Sequence, residues 1–198
     1  MIDGQLHFPR ERDVEYSRIF LGAAWPAARA GWGVVVGESQ VAFVAGRPRL
    51  EVLDEVQDER LDRLVARLAA LRQYYRPESV LGDASHVAAV EFCLEHGLRL
   101  DPSPLCQMEG PMGYVLPVLR RMVGRDGGGQ GRLRIPEGST LRGEMMIPPL
   151  RADPATLELT DYPAVAALAF AAMGLELTRE DPRTQTPTEL AREGKVLR

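Results

Sequence analysis

The feature that most constrains this chain is an apolar run bounded by glycines, WGVVVGES at 32–39. An unbroken run of this length, rich in valine, reads as a strand buried on both faces. A similar stretch precedes it, VEYSRIFLG at 14–22, closed by Gly22 and followed by a loop at 23–31 that holds Pro26. Two follow it: QVAFVAG at 40–46 and RPRLEVLDEV at 47–56, with a turn at Gly46, Arg47 and Pro48. Connections this short join antiparallel neighbours, so the first third is expected to be a β-meander.

The period then changes. DERLDRLVARLAALRQYY at 58–75 places Leu61, Leu64, Val65, Leu68 and Leu71 at helical spacing with arginines opposite, Asp58 as the N-cap and Pro77 beyond its end. SVLGDAS at 79–85 is a short strand ending in Asp83, and HVAAVEFCLEHG at 86–97 is a second helix stopped by Gly97. LRLDPSPL at 98–105 fits a short strand and loop. Such a strand–helix–strand unit pairs its strands in parallel through a right-handed crossover. Further on, GYVLPVLRRMVGR at 113–125 reads as a helix despite Pro117, and DGGGQG at 126–131 as a joint. RLRIPEG at 132–138 is strand-like, and STLRGEMM at 139–146 suits a helical turn. TDYPAVAALAFAAMG at 160–174 is a helix, with Thr160 or Asp161 as cap, Pro163 in its first turn and Gly174 at its end. No internal repeat is present.

Three antiparallel strands followed by helix, strand, helix and a later amphipathic helix describe an α/β fold of ribonuclease-H-like build. Its sheet is mixed, three antiparallel strands and then parallel ones, with helices on both faces. The expected organisation is an extended lead-in at 1–13, one domain at 14–175 and a polar, loose tail at 176–198. At 198 residues with 45% hydrophobic and 26% charged positions, the chain can bury one good core, which excludes disorder over its whole length.

Composition also narrows the function. The net charge is −4, so there is no bulk electrostatic case for nucleic-acid binding, and any contact would need a local cluster of arginines. Lys195 is the only lysine. Cys93 and Cys106 form no CxxC pair, which fits a reducing compartment. The N-terminal residues lack a signal-peptide core, and AVAALAFAAM at 164–173 falls short of the ~20 residues that span a bilayer. A cytoplasmic protein with no membrane partner is expected.

The order and local wording resemble the C-terminal nuclease domain of phage large terminase subunits. RIFLGAAWP at 18–26 resembles that family's first strand with its glycine-hydrophobe-Asp-Pro type turn. WGVVVGE at 32–38 and RLEVLDEV at 49–56 resemble its second and third strands, and VLGDAS at 80–85 the strand that carries its second acid. RLRIPEGSTLRGEM at 132–145 resembles the stretch before the last helix, and TDYPAVAALAFAA at 160–172 that helix. The resemblance spans roughly residues 14 to 175. The motor half of that family is not here: no G-x-x-x-x-G-K-[ST] phosphate loop occurs.

The resemblance implies a metal-dependent endonuclease acting on viral or prophage DNA during genome packaging. Two Mg²⁺ or Mn²⁺ ions about 4 Å apart would be held by clustered carboxylates. Asp83 fits the fourth-strand acid, and its plainer reading is a helix N-cap. Aligning Gly22 puts Ala24 where an aspartate is expected, and aligning ALAF at 167–170 puts Ala166 at a second acid position. Glu38 and Asp161 are the candidate replacements, so Asp83, Asp161 and Glu38 form the candidate catalytic and metal-ligating set. His86 is close enough in sequence to approach a phosphate or metal. Asp54, Glu55, Asp58 and Glu59 form an acidic run of the kind that is ordinarily a solvated edge.

Arg120, Arg121, Arg125, Arg132 and Arg134 bracket the glycine-rich joint and are candidate phosphate contacts. The implied partners are double-stranded DNA and a separate packaging ATPase or portal. A catalytically inactive nuclease-like domain that binds DNA or a packaging partner is the alternative. An unrelated α/β binding protein is the third reading, separated by its strand order.

Overall fold

The computed structural model describes residues 6–7, 16–25, 30–107, 111–124, 131–146 and 161–179. Its strands are β1 (Leu6–His7), β2 (Tyr16–Ala24), β3 (Gly31–Val44), β4 (Arg47–Asp58), β5 (Ser79–Gly82), β6 (Asp101–Pro102) and β7 (Leu133–Arg134). Its helices are α1 (Leu61–Tyr75), α2 (Val87–Glu95), α3 (Pro111–Val123), α4 (Leu141–Met146) and α5 (Pro163–Arg179).

The strands form one sheet in the order β1-β4-β3-β2-β5-β6, with β7 pairing β4. The β2–β3 and β3–β4 pairs are antiparallel, and β2–β5 and β5–β6 are parallel. This is the ribonuclease-H-like mixed sheet that the meander and crossover imply. Alternation along β2 sorts its side chains. Phe20 and Ala24 enter the core beneath α3, α4 and α5, while Leu21 and Ala23 enter the core beneath α1 and α2. Both faces are covered, which is why the central strands read as continuous apolar runs rather than alternating ones.

Helix α5 fixes the geometry of the sheet's centre. A Cβ on Gly22 would lie 2.0 Å from the Ala167 carbonyl oxygen and 2.8 Å from the Ala171 nitrogen, so the helix backbone rests directly on β2. Farther along, a Cβ on Gly174 would lie 2.2 Å from Leu81 Cδ1. Gly174 therefore serves close packing and does not end the helix, which runs on to Arg179. Arg18 Nη1 donates to the Leu175 carbonyl at 3.4 Å. These contacts set α5 antiparallel to β2, its N-terminus at the carboxyl end of that strand.

Several local expectations are corrected. The cap of α1 is Arg60, with no side-chain capping bond; Asp58 instead ends β4, where its Oδ1 accepts from the Arg60 N–H at 3.0 Å. Leu6 and His7, within the expected lead-in, pair with Glu55 and Asp54 of β4. The acidic run is not a solvated edge throughout. Asp54 is 0% exposed and Glu55 3%. Asp54 Oδ2 accepts from the Tyr75 hydroxyl at 3.2 Å. Glu55 accepts from Ser139 Oγ at 2.6 Å and from the Thr140 N–H and Oγ1 at 2.9 Å each. Buried carboxylates survive only when hydrogen-bonded in this way. Among the described residues, no helix is long and apolar enough to cross a membrane.

Candidate functional site

The register locates the site. Ala23 of β2 pairs with Gly82 of β5, the last pair of that ladder, so Ala24 and Asp83 follow it at the same end of the sheet. Helix residues 167 and 171 straddle Gly22. Going from Gly22 to Ala24 covers about 7 Å of strand, equal to between four and five residues of helix. Ala24 is therefore level with residues 164–166. The carboxyl ends of β2 and β5 and the N-terminus of α5 meet at one end of the sheet, where open α/β sheets carry their sites.

Two of the three positions in that corner are buried alanines. Ala24 is 5% exposed and Ala166 1%, and both belong to the apolar core under α5. Asp83 is the carboxylate that the described strand ends bring there. Its Oδ1 accepts from the Ser85 N–H at 2.9 Å and from Ser85 Oγ at 2.6 Å, and its carbonyl oxygen accepts from Trp25 Nε1 at 3.2 Å. The helix cap that follows is His86, whose Nδ1 accepts from the Ala89 N–H at 3.2 Å. The cap reading of Asp83 is thus corrected, since His86 caps α2.

Cys106, in the 3-10 turn at Pro104–Gln107, lies beside Asp83. Burial pushes its thiol up to about 11, and the negative charge of Asp83 adds to the shift. Its Sγ lies 3.9 Å from the Gly82 carbonyl oxygen.

Asp161 is exposed and stands two residues before α5, at the same end of the sheet as Asp83. Glu38 is not. It pairs with Arg18, six residues back along β2 from Ala24, which is about 20 Å of strand. The expected convergence of Asp83, Asp161 and Glu38 on one pocket is thus corrected for Glu38, because β3 runs antiparallel to β2 and its carboxyl end lies at the far edge. Glu38 is buried there, its Oε1 accepting from Ser17 Oγ at 3.4 Å.

The donor set does not suit the implied two-ion site. Hard cations need several oxygen ligands, and among the described residues the corner offers Asp83 beside two alanines, with exposed Asp161 before α5. Among the described residues no group of three or more His, Cys, Asp and Glu could hold a metal ion.

Of the candidate phosphate contacts, Arg120 and Arg121 are exposed in the last turn of α3. Arg134 is exposed on β7, opposite Glu51. Arg132 is half-buried, and its Nε donates to the Pro48 carbonyl at 2.9 Å, which ties β7 to β4. Arg125 lies outside the described residues.

The fold is that of phage large-terminase nuclease domains. It is similar to the large terminase nuclease of the thermophilic phage G20c, at 15% identity and a TM-score of 0.54, covering 81% of this chain and 82% of that one. It is likewise similar to the nuclease domain of the bacteriophage SPP1 large terminase with bound Mn, at 16% identity and a TM-score of 0.56, covering 81% and 88%. The large terminase of another thermophilic bacteriophage, in complex with ADP, matches with a TM-score of 0.55 and 11% identity; 85% of this chain covers 41% of that longer one. No family profile matches the chain. No curated protein matches it.

Proposed function

We propose that this chain is a nuclease-fold domain of a viral or prophage DNA-packaging assembly that binds duplex DNA and does not hydrolyse it. The observation that carries the reading is the pair of buried alanines, Ala24 and Ala166, beside Asp83 in the corner where the strand ends meet the last helix. Two-ion phosphodiester hydrolysis requires clustered carboxylates to hold both cations, and alanine offers no donor. Glu38 stands at the wrong end of the sheet to replace either. Among the described residues Asp161 is the other acid at this end, and two acids make a poor cage for two divalent ions.

The exposed arginines Arg120, Arg121 and Arg134 supply phosphate contacts in this reading. The fold likeness to large terminases points to a packaging assembly, in which a separate ATPase or portal would be the protein partner. Incubating the purified chain with supercoiled plasmid in Mn²⁺ or Mg²⁺ tests the claim. No nicking above a chelated control is expected. Nicking that disappears in Asp83→Ala overturns it and establishes a Mn²⁺- or Mg²⁺-dependent endonuclease built on that acid.

A further inference from the structure

We propose that the hairpin joining β3 to β4 is a two-stranded ribbon that enters a groove of duplex DNA. This rests on the DNA-binding reading above and locates the contact at the end of the sheet opposite Asp83. Among the described residues β2 pairs with β3 no farther than Ser39, and β7 pairs with β4 at Leu50 and Glu51. Beyond the Glu38–Leu50 pair the register shifts, and the two strands pair again at Phe43 with Pro48 and Val44 with Arg47. The two tip residues, Ala45 and Gly46, both have positive φ, 51° and 75°. That is the mirror-image tight turn whose twist matches a two-stranded ribbon. The β4 arm, three residues from Leu50 to Arg47, sets the reach at about 10 Å, and the extra residues of β3 form a bulge in which Ser39 Oγ accepts from the Val41 and Ala42 N–H groups. A ribbon of this width fits the major groove of B-form DNA, which is about 12 Å wide.

The two faces of the ribbon differ in chemistry. Val41 and Phe43 are 65% and 58% exposed near the tip. In the major groove an exposed phenylalanine can make apolar contact with a thymine methyl group.

The register puts Arg47 opposite Val44, on the other face. Arg49 shares that face, and the parallel pairing of Leu50 with Leu133 and of Glu51 with Arg134 adds Arg132 and Arg134 to it. Arg47 and Arg134 are exposed on this edge, while Arg49 is held by the Glu51 carboxylate, itself bonded to the Tyr16 hydroxyl, and Arg132 by the Pro48 carbonyl. In a chain of net charge −4, this concentration of positive charge complements a polyanion.

Fluorescence anisotropy of a short labelled duplex, titrated with the full chain at graded salt, tests the proposal. Arg47→Ala is expected to weaken binding and to reduce the slope of log K against log salt by about one. Phe43→Ala is expected to weaken binding roughly tenfold with the slope unchanged, because an apolar contact with a base carries no charge. Both side chains are exposed, and circular dichroism checks that the variants fold. If the wild type binds duplex and both variants bind equally well, the hairpin proposal is wrong while the DNA-binding reading stands. If Arg120→Glu and Arg121→Glu abolish binding while the hairpin variants do not, the contact lies on α3. If the wild type binds no duplex, both readings fall together.

Discussion

Rebuilding an acid in the empty corner tests the geometry most directly. Ala24→Asp places a carboxylate one residue beyond the Ala23–Gly82 pair, as Asp83 is. At an effective dielectric of about 20, two like charges about 5 Å apart, the spacing of neighbouring strands, repel by about 3 kcal/mol. Ala24 is 5% exposed, so the new group also loses hydration. A total destabilisation of about 3–5 kcal/mol is expected without metal. For a domain of this size each kcal/mol shifts the melting midpoint by about 2–4 °C, so the variant should melt roughly 10 °C below the wild type in chelator.

The same repulsion is what a divalent cation relieves. At about a hundred times its dissociation constant, Mn²⁺ returns about 2.7 kcal/mol. Differential scanning fluorimetry with chelator and then with Mn²⁺ reads both effects. The expected pattern is a large Mn²⁺ response in A24D, a small one in the wild type, and none in the double variant A24D/D83A. If A24D melts with the wild type in chelator, or if the double variant responds to Mn²⁺ as strongly as A24D, then Ala24 and Asp83 do not share a corner and the reasoning fails.

Three further outcomes are expected. Glu55→Ala strands the Ser139 and Thr140 donors that converge on that carboxylate, and should lower stability by about 3 kcal/mol in a urea titration; a loss under about 0.5 kcal/mol would show that these bonds carry nothing. Ala45→Gly relieves a left-handed alanine at φ 51° and should stabilise the fold by up to about 1 kcal/mol, read from the midpoint of the same titration. Cys106, its thiol raised to about 11 by burial and then by Asp83, should be alkylated slowly near pH 8, where about one thiol in a thousand is ionised. Removing the neighbouring charge lowers that value, so Asp83→Asn should speed alkylation at fixed pH; an unchanged rate would place Asp83 away from the sulfur.

The change from strand to helical period after residue 57 carries most of the fold, because a meander followed by a strand–helix–strand unit leaves few topologies. Helix ends are less legible. Local pattern makes Gly174 the stop of α5, yet its missing Cβ answers to Leu81 on another element, which no local pattern reports. The burial of Asp54 and Glu55 depends on Tyr75 and on Ser139 and Thr140, up to 85 residues away. A run of acids therefore reads as a surface edge until its partners are in place.

Glu38 is a different case, because its position follows from the meander itself. In antiparallel neighbours the carboxyl end of one strand lies beside the amino end of the other. A glutamate late in β3 is bound to sit beside the start of β2, where Arg18 is found. Strand direction alone excludes it from a site at the carboxyl ends of β2 and β5. The same reasoning works in favour of Asp83, since parallel pairing of β5 with β2 brings its carboxyl end to Ala24. The acids that could act together are thus limited by direction before any distance is measured, and among the described residues that limit leaves Asp83 in this corner, with exposed Asp161 at the foot of α5.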